Sequence, residues 1–205
     1  MSANDLASAA IPLGKGWHNK GSAIAAANYG GISYEGTVRS WAEDSGPSNA
    51  GNNMNTFRSH RPVTRVLVRN VSGGNLLPKR VVTWKTGYVG KRVDGYVCET
   101  AGVVAGVVDE YWPASGVPDG ELFWLVVKGP TLVKTSLAGG AENVIAALAH
   151  LHGLTAATSG ATTSGRVEAT ANALAVGTVF GRALSAKTTG NTDADLLAEI
   201  DTWIG

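Results

Sequence analysis

The chain has 205 residues, of which 44% are hydrophobic and only 16% charged, with a net charge of +1. That apolar share is enough to build a core and excludes a disordered chain, and the near-neutral balance gives no whole-molecule field for nucleic acid or an anionic membrane. The 27 glycines, set among many Val and Thr, favour short strands and turns over long helices.

Met1 to Ala10 has no basic stretch ahead of an apolar one, and Asp5 interrupts it, so no secretory signal is expected there. Residues 1–61 are dominated by Gly, Asn, Ser and Ala, as in Ser45-Gly46-Pro47-Ser48-Asn49-Ala50-Gly51. They carry no sustained period of 2 or 3.6 beyond a short helical piece at Ser22 to Asn28. Yet Trp17, Tyr29, Tyr34, Trp41 and Phe57 recur through them. A merely solvated tail seldom keeps so many large apolar groups. The stretch reads as an extended arm whose aromatics dock on a partner; the alternative is an irregular lobe packed on its own domain.

From Pro62 the pattern changes. Val63 to Val71 is β-branched and broken by Arg65 and Arg69, a half-exposed strand. Ser72-Gly73-Gly74-Asn75 is a turn, and Leu76 to Lys85 a second strand. Cys98 is the lone cysteine, so no internal disulfide or cysteine zinc site exists, and after Tyr96-Val97 it reads as a small buried hydrophobe. Val103 to Val108 is a short buried strand, and Pro113 to Gly120 a loop. Leu122 to Lys128 is an apolar strand, resumed at Thr131 to Thr135 after a Gly129-Pro130 break. Glu142 to Leu151 places Val144, Leu148 and Leu151 at helical spacing and predicts a short helix. Thr155 to Gly165 reads as an exposed loop, and Ala173 to Ala186 as a strand pair or a strand bent at Gly177 and Gly181. Leu196 to Ile204 fits either a helix or an alternating strand. Strands at roughly ten-residue intervals, with turn residues between them, make the chain mainly β. The expected architecture is a small β-barrel or β-sandwich body over 62–205 behind an extended, mostly irregular arm over 1–61. No run approaches 18 uninterrupted apolar residues, so no membrane span is expected.

The search for chemistry returns little. His150-Leu151-His152 would put two imidazoles on one face of a strand, but no third ligand or HExxH spacing accompanies them. Gly87-Tyr88-Val89-Gly90-Lys91 lacks the spacing and the Ser or Thr of a phosphate loop. Gly14-Lys15-Gly16 does not follow a strand, no Gly-x-Ser-x-Gly elbow occurs, and Asp193-Ala194-Asp195 lacks the other calcium-loop ligands. We therefore expect no enzyme, no catalytic residue, no cofactor and no metal. One charge pattern stands out: Arg61 to Arg92 holds eight basic residues and no acid, whereas Asp94 to Glu121 holds six acids and no base. It fits either pairing between neighbouring strands or a dipolar surface that meets a partner.

The run Arg69-Asn70-Val71-Ser72-Gly73-Gly74-Asn75-Leu76-Leu77-Pro78-Lys79-Arg80-Val81-Val82 resembles the opening of the tailed-bacteriophage head decoration, or capsid cement, proteins. Gly102 to Val108, Val126 to Thr131 and Ala175 to Leu184 match later motifs of that family in the same order, over roughly residues 64–205. Each motif alone is Gly and Val in a turn context; their order carries the resemblance. It implies a compact β body without catalytic residues. It also implies a homotrimer bound to the major capsid protein on the outside of the virion, made in the host cytoplasm, with no nucleic-acid or membrane partner. The first 60 residues and the Thr/Ser/Gly stretch at 155–165 are additions to the family's usual form. The aromatics Trp17, Tyr29, Tyr34, Trp41 and Phe57 are the expected partner contacts. A tail or baseplate module, or a carbohydrate-binding β-module, is the alternative.

Overall fold

The computed structural model describes residues 35–42, 61–96, 103–135, 145–153, 165–169, 179–187 and 194–202. They form ten strands and, among the described residues, no helix. In chain order these are β1 (Val38–Ala42), β2 (Pro62–Asn70), β3 (Val81–Trp84), β4 (Arg92–Tyr96), β5 (Val104–Val108), β6 (Leu122–Lys134), β7 (His150–Gly153), β8 (Val167–Ala169), β9 (Val179–Ala183) and β10 (Asp195–Asp201).

The strands follow the order β1-β2-β4-β3-β5-β6-β10-β9-β7-β8, and β2 also pairs with β6. That extra pairing closes β2, β4, β3, β5 and β6 into a five-stranded ring, with β1 hydrogen-bonded outside β2. All pairs in the ring are antiparallel except β2 with β4. β6 is long enough to serve twice. Its first half lies against β2 and β5, and its second half against β10. β9, β7 and β8 follow β10, and a parallel bridge from Thr135 to Val167 brings β8 back to the end of β6.

The core explains the sequence pattern. Val66, Val68, Val82, Trp84, Val93, Ala105, Val108, Phe123, Leu125 and Val127 fill the five-stranded ring. Loop residues Leu76, Trp112 and Val117 join them, with Trp112 edge-on to Phe123 at 6.2 Å. The intervening side chains Val81, Val104, Val107 and Val126 point the other way. They pack with Val133, Leu151, Val167, Phe180, Leu196, Ala198 and Ile200 of the second half. β3 and β5 are thus covered on both faces and buried at every position. This is why they read as unbroken apolar runs and not as alternating ones.

Three expected elements are corrected. The helix over Glu142 to Leu151 is absent where the chain is described: Ile145 makes an isolated bridge to Lys187, a turn follows, and β7 begins at His150. The second strand starts only at Val81, because Pro78 and Lys79 form a turn in which Lys79 has φ +64°. The expected break at Gly129-Pro130 is no break, since β6 runs through it. Between the alternatives for Leu196 to Ile204, the structure takes the strand, as β10. Cys98 lies outside the described residues, as does 155–164 of the expected loop.

Candidate partner-binding surface beside Glu35

Sequence reasoning centres any binding surface on the aromatics of residues 1–61. Trp17, Tyr29, Tyr34 and Phe57 lie outside the described residues. Trp41 is in β1, its backbone opposite Val63 of β2. β1 itself falls within the stretch assigned to the arm, yet it is paired in register with β2 from Val38↔Val66 to Ala42↔Pro62.

The residue that ties this part of the chain to the body is Glu35. Its side chain is only 3% exposed and ion-pairs with the guanidinium of Arg69 and with that of Arg92, the latter at 3.0 Å. Gly36 N–H donates to the Leu67 carbonyl at 2.8 Å, and the Leu67 N–H donates to the Thr37 carbonyl, also at 2.8 Å. Arg69 and Arg92 stand opposite each other in the β2–β4 parallel pair, so the two guanidinium groups converge because the strand register sets them side by side. Arg69 also donates to the Gly120 carbonyl at 3.0 Å. Two like charges held this close need a carboxylate between them, and Glu35 supplies it.

Next to this clamp is the turn from β3 to β4. Lys85 N–H donates to the Arg92 carbonyl, Tyr88 N–H to the Lys85 carbonyl, and both Lys91 and Arg92 N–H to the Tyr88 carbonyl, all at 2.9–3.0 Å. Gly87 and Gly90 both have φ +79°, a left-handed conformation in which L side chains are strained. The residues between them, Tyr88 and Val89, therefore stand at a tip and are 44% and 60% exposed. The Arg92 guanidinium lies 4.3 Å from the Tyr88 ring centroid and covers one face of it. In the sequence this glycine-bracketed turn reads only as a failed phosphate loop. The signal available was two large apolar residues between two turn glycines. Glu35, one acid in a Gly- and Asn-rich stretch, offered no signal.

The segregated charges resolve largely into internal pairs. Arg65 pairs with Asp109, Lys85 with Asp94, Arg61 with Glu199 and Lys79 with Asp195, while Arg69 and Arg92 share Glu35. Six of the eight basic residues of 61–92 are thus engaged within the chain, which favours pairing over a dipolar face. Lys91 has no ion-pair partner among the described residues.

Two carboxylates are shifted in the same direction. Burial pushes Glu35 up, but the hydrogen bonds and charges of Arg69 and Arg92 outweigh it and hold the group below its ordinary 4.5. Burial likewise raises Asp195, and Lys79 and Lys134 more than offset it, leaving it below 3.8. A depressed folded value stabilises the fold above the ordinary value, and that contribution is lost as pH falls through the folded one. Glu199 runs the other way: burial outweighs Arg61 and raises it, so its contribution declines as pH rises past 4.5. The urea midpoint is therefore expected to fall as pH drops below about 4.5, and Glu35→Gln should flatten that fall. An unaltered pH slope in the variant would remove Glu35 from the account.

A second surface feature lies on the other half of the molecule. Leu148, with φ +68° and 67% exposure, stands at the lip of an open depression of about 390 Å³ lined also by His150, Phe180, Arg182 and Leu184. His150 and His152 share β7, but no group of three metal-ligating side chains occurs among the described residues.

Known proteins offer little to compare. No family model matches the chain. No curated protein matches it either. Among solved structures it is similar to the N base of the head fiber gp8.5 of bacteriophage phi29, with a TM-score of 0.42 and 15% identity, over 67% of this chain and 93% of that one.

Proposed function

We propose that the chain is a structural, non-enzymatic protein of a tailed-phage head. In this reading it is a decoration, or cement, protein that binds the outside of the shell and bridges neighbouring subunits of the major capsid protein. The observation that carries the reading is the Glu35 clamp. It fixes to the five-stranded ring the point at which residues 1–34 join the body, and those residues contain Trp17, Tyr29 and Tyr34. Two supports stand beside it. The motifs that resemble the decoration proteins fall on the end of β2 through β3, on β5, on the middle of β6 and on β9, which are framework strands of a compact body. The body also spends most of its charges internally and leaves apolar residues exposed beside the clamp.

A shell under internal pressure fails where its subunits part. A protein that bridges them must itself be detached before the shell opens. Each aromatic of an arm docked on the shell would bury about 150–250 Å², or roughly 4–6 kcal/mol as an upper bound before ordering costs. Several arms on one oligomer would act together, since each bound arm raises the effective concentration of the next.

The test uses the full chain and a version lacking residues 1–34, a cut that spares Glu35 and β1. Mixed with expanded heads stripped of their own decoration protein, the full chain is expected to co-sediment near one copy per capsid subunit and to raise the temperature at which the heads rupture. The truncated chain should fold, yet bind at least about tenfold more weakly, because three of its five expected aromatic contacts, Trp17, Tyr29 and Tyr34, are gone. Equal occupancy and equal head stability with the two chains would refute the arm's role.

A further inference from the structure

We propose that the Tyr88–Val89 tip is a second contact of the body with the shell, a preformed knob that seats in an apolar recess with an acidic rim on the capsid surface. The inference rests on the decoration reading and names the kind of surface it would meet.

Four observations lead there. The tip is apolar and exposed: Val89 is more exposed than Val38 or Val103, the other exposed valines among the described residues. The loop is stiff, tied by the four backbone hydrogen bonds among Lys85, Tyr88, Lys91 and Arg92 and by the Arg92–Tyr88 stacking. Docking such a loop costs little ordering entropy. It also adjoins the clamp. A Cβ on Gly36 would lie 3.4 Å from the Gly90 carbonyl oxygen and 3.5 Å from Lys91 Cγ, so the chain entering at Glu35 passes directly beside the turn. A partner that contacts the chain at its entry by Glu35 would find the tip beside it.

The charge around the tip selects the partner. Among the described residues Lys85 ion-pairs with Asp94, and Arg69 and Arg92 share Glu35, while Lys91 has no ion-pair partner. Two copies meeting tip to tip would bring these cations together, which disfavours a self-contact. An acidic protein rim would pair with Lys91 while Val89 and the free edge of Tyr88 enter the apolar recess. Nucleic acid is a poorer fit, because one face of Tyr88 already carries Arg92 and few cations remain unpaired.

The experiment compares the full-length chain with Val89→Asp and with Lys91→Glu, on the same stripped heads. Both side chains are outside the core, so circular dichroism and urea midpoints should match the parent. Val89→Asp is expected to weaken binding at least about tenfold, since a charge in an apolar recess is strongly disfavoured. Lys91→Glu should chiefly slow association and reduce its salt dependence. If the parent binds and both variants bind equally well, the knob is refuted and the decoration reading stands. If the parent binds no head, both fall. A change in self-association without a change in head binding, or retention on DNA that Lys91→Glu abolishes, would reassign the tip and overturn the proposal.

Discussion

Asp109→Ala is expected to destabilise the protein by about 3–5 kcal/mol, the usual cost of stranding one member of a buried ion pair. Asp109 follows β5 and accepts the Arg65 Nε–H of β2 at 2.8 Å, with the two side chains 3% and 2% exposed. Its other oxygen accepts the Tyr111 N–H at 3.2 Å and starts the turn that delivers Trp112 onto Phe123. Removing the carboxylate takes the acceptor of the Nε–H from a buried guanidinium, in a place with almost no water. It also loosens the loop that helps fill the ring. The pair itself need not be a net stabiliser, because taking two charges out of water offsets most of their attraction. Hence Arg65→Met combined with Asp109→Leu should lie far closer to the parent than Asp109→Ala does. Urea unfolding followed by tryptophan fluorescence measures both. A cost below about 1 kcal/mol for the single variant would mean that water reaches Arg65 and the site is not dry.

Neighbouring strands with apolar runs were legible because local composition alone decides them. β5 and the first half of β6 show nearly unbroken apolar runs, β2 shows β-branched residues broken by Arg65 and Arg69, and the turn at Ser72 to Asn75 is announced by its glycines. There Asn70, fully buried, accepts the Ser72 N–H and Oγ–H and donates to the carbonyls of Gly74, Val117 and Pro118. What the sequence did not reveal was non-local. Closure of the ring depends on β2 meeting β6 some sixty residues later, and nothing in either strand names the other. The helix expected near residue 148 arose because Leu148 and Leu151 are spaced like neighbours on a helix. In the fold Leu148 stands exposed in a turn and Leu151 is buried in β7.

The candidate surface was missed for a related reason. Trp and Tyr advertise themselves in a sequence, whereas Glu35 matters only because the β2–β4 register sets Arg69 beside Arg92. An acid becomes a clamp when a fold places two cations around it. The same holds for the charge blocks of 61–92 and 94–121. Their segregation along the chain fits either internal pairing or a dipolar surface, and only the fold decides: Arg65 and Lys85 find acids of the second block, and others find Glu35, Asp195 and Glu199 from distant parts of the chain.

Gly129→Ala should be the other severe change, because the whole two-part architecture turns on one residue of β6. Up to Lys128 that strand pairs with β2, and from there to Lys134 with β10; Gly129 stands opposite Ile200 where the exchange happens. The β2–β6 register slips at Thr64/Arg65 just beside it. A Cβ on Gly129 would sit 2.5 Å from the Pro62 carbonyl oxygen and 3.1 Å from the Val63 Cα, both backbone atoms that have nowhere to go. The residue also has φ +105°, which an L side chain resists. Conformational strain of about 1–2 kcal/mol adds to about 1–3 kcal/mol of overpacking, for an expected loss of roughly 2–5 kcal/mol. Gly120→Ala supplies the control, since Gly120 has φ +82° but no atom within 4 Å of the added carbon. It should show the strain alone. If urea unfolding finds the two variants equally destabilised, the backbone of β2 does not press on β6 at this crossing, and the junction between the two halves of the molecule is looser than its geometry implies.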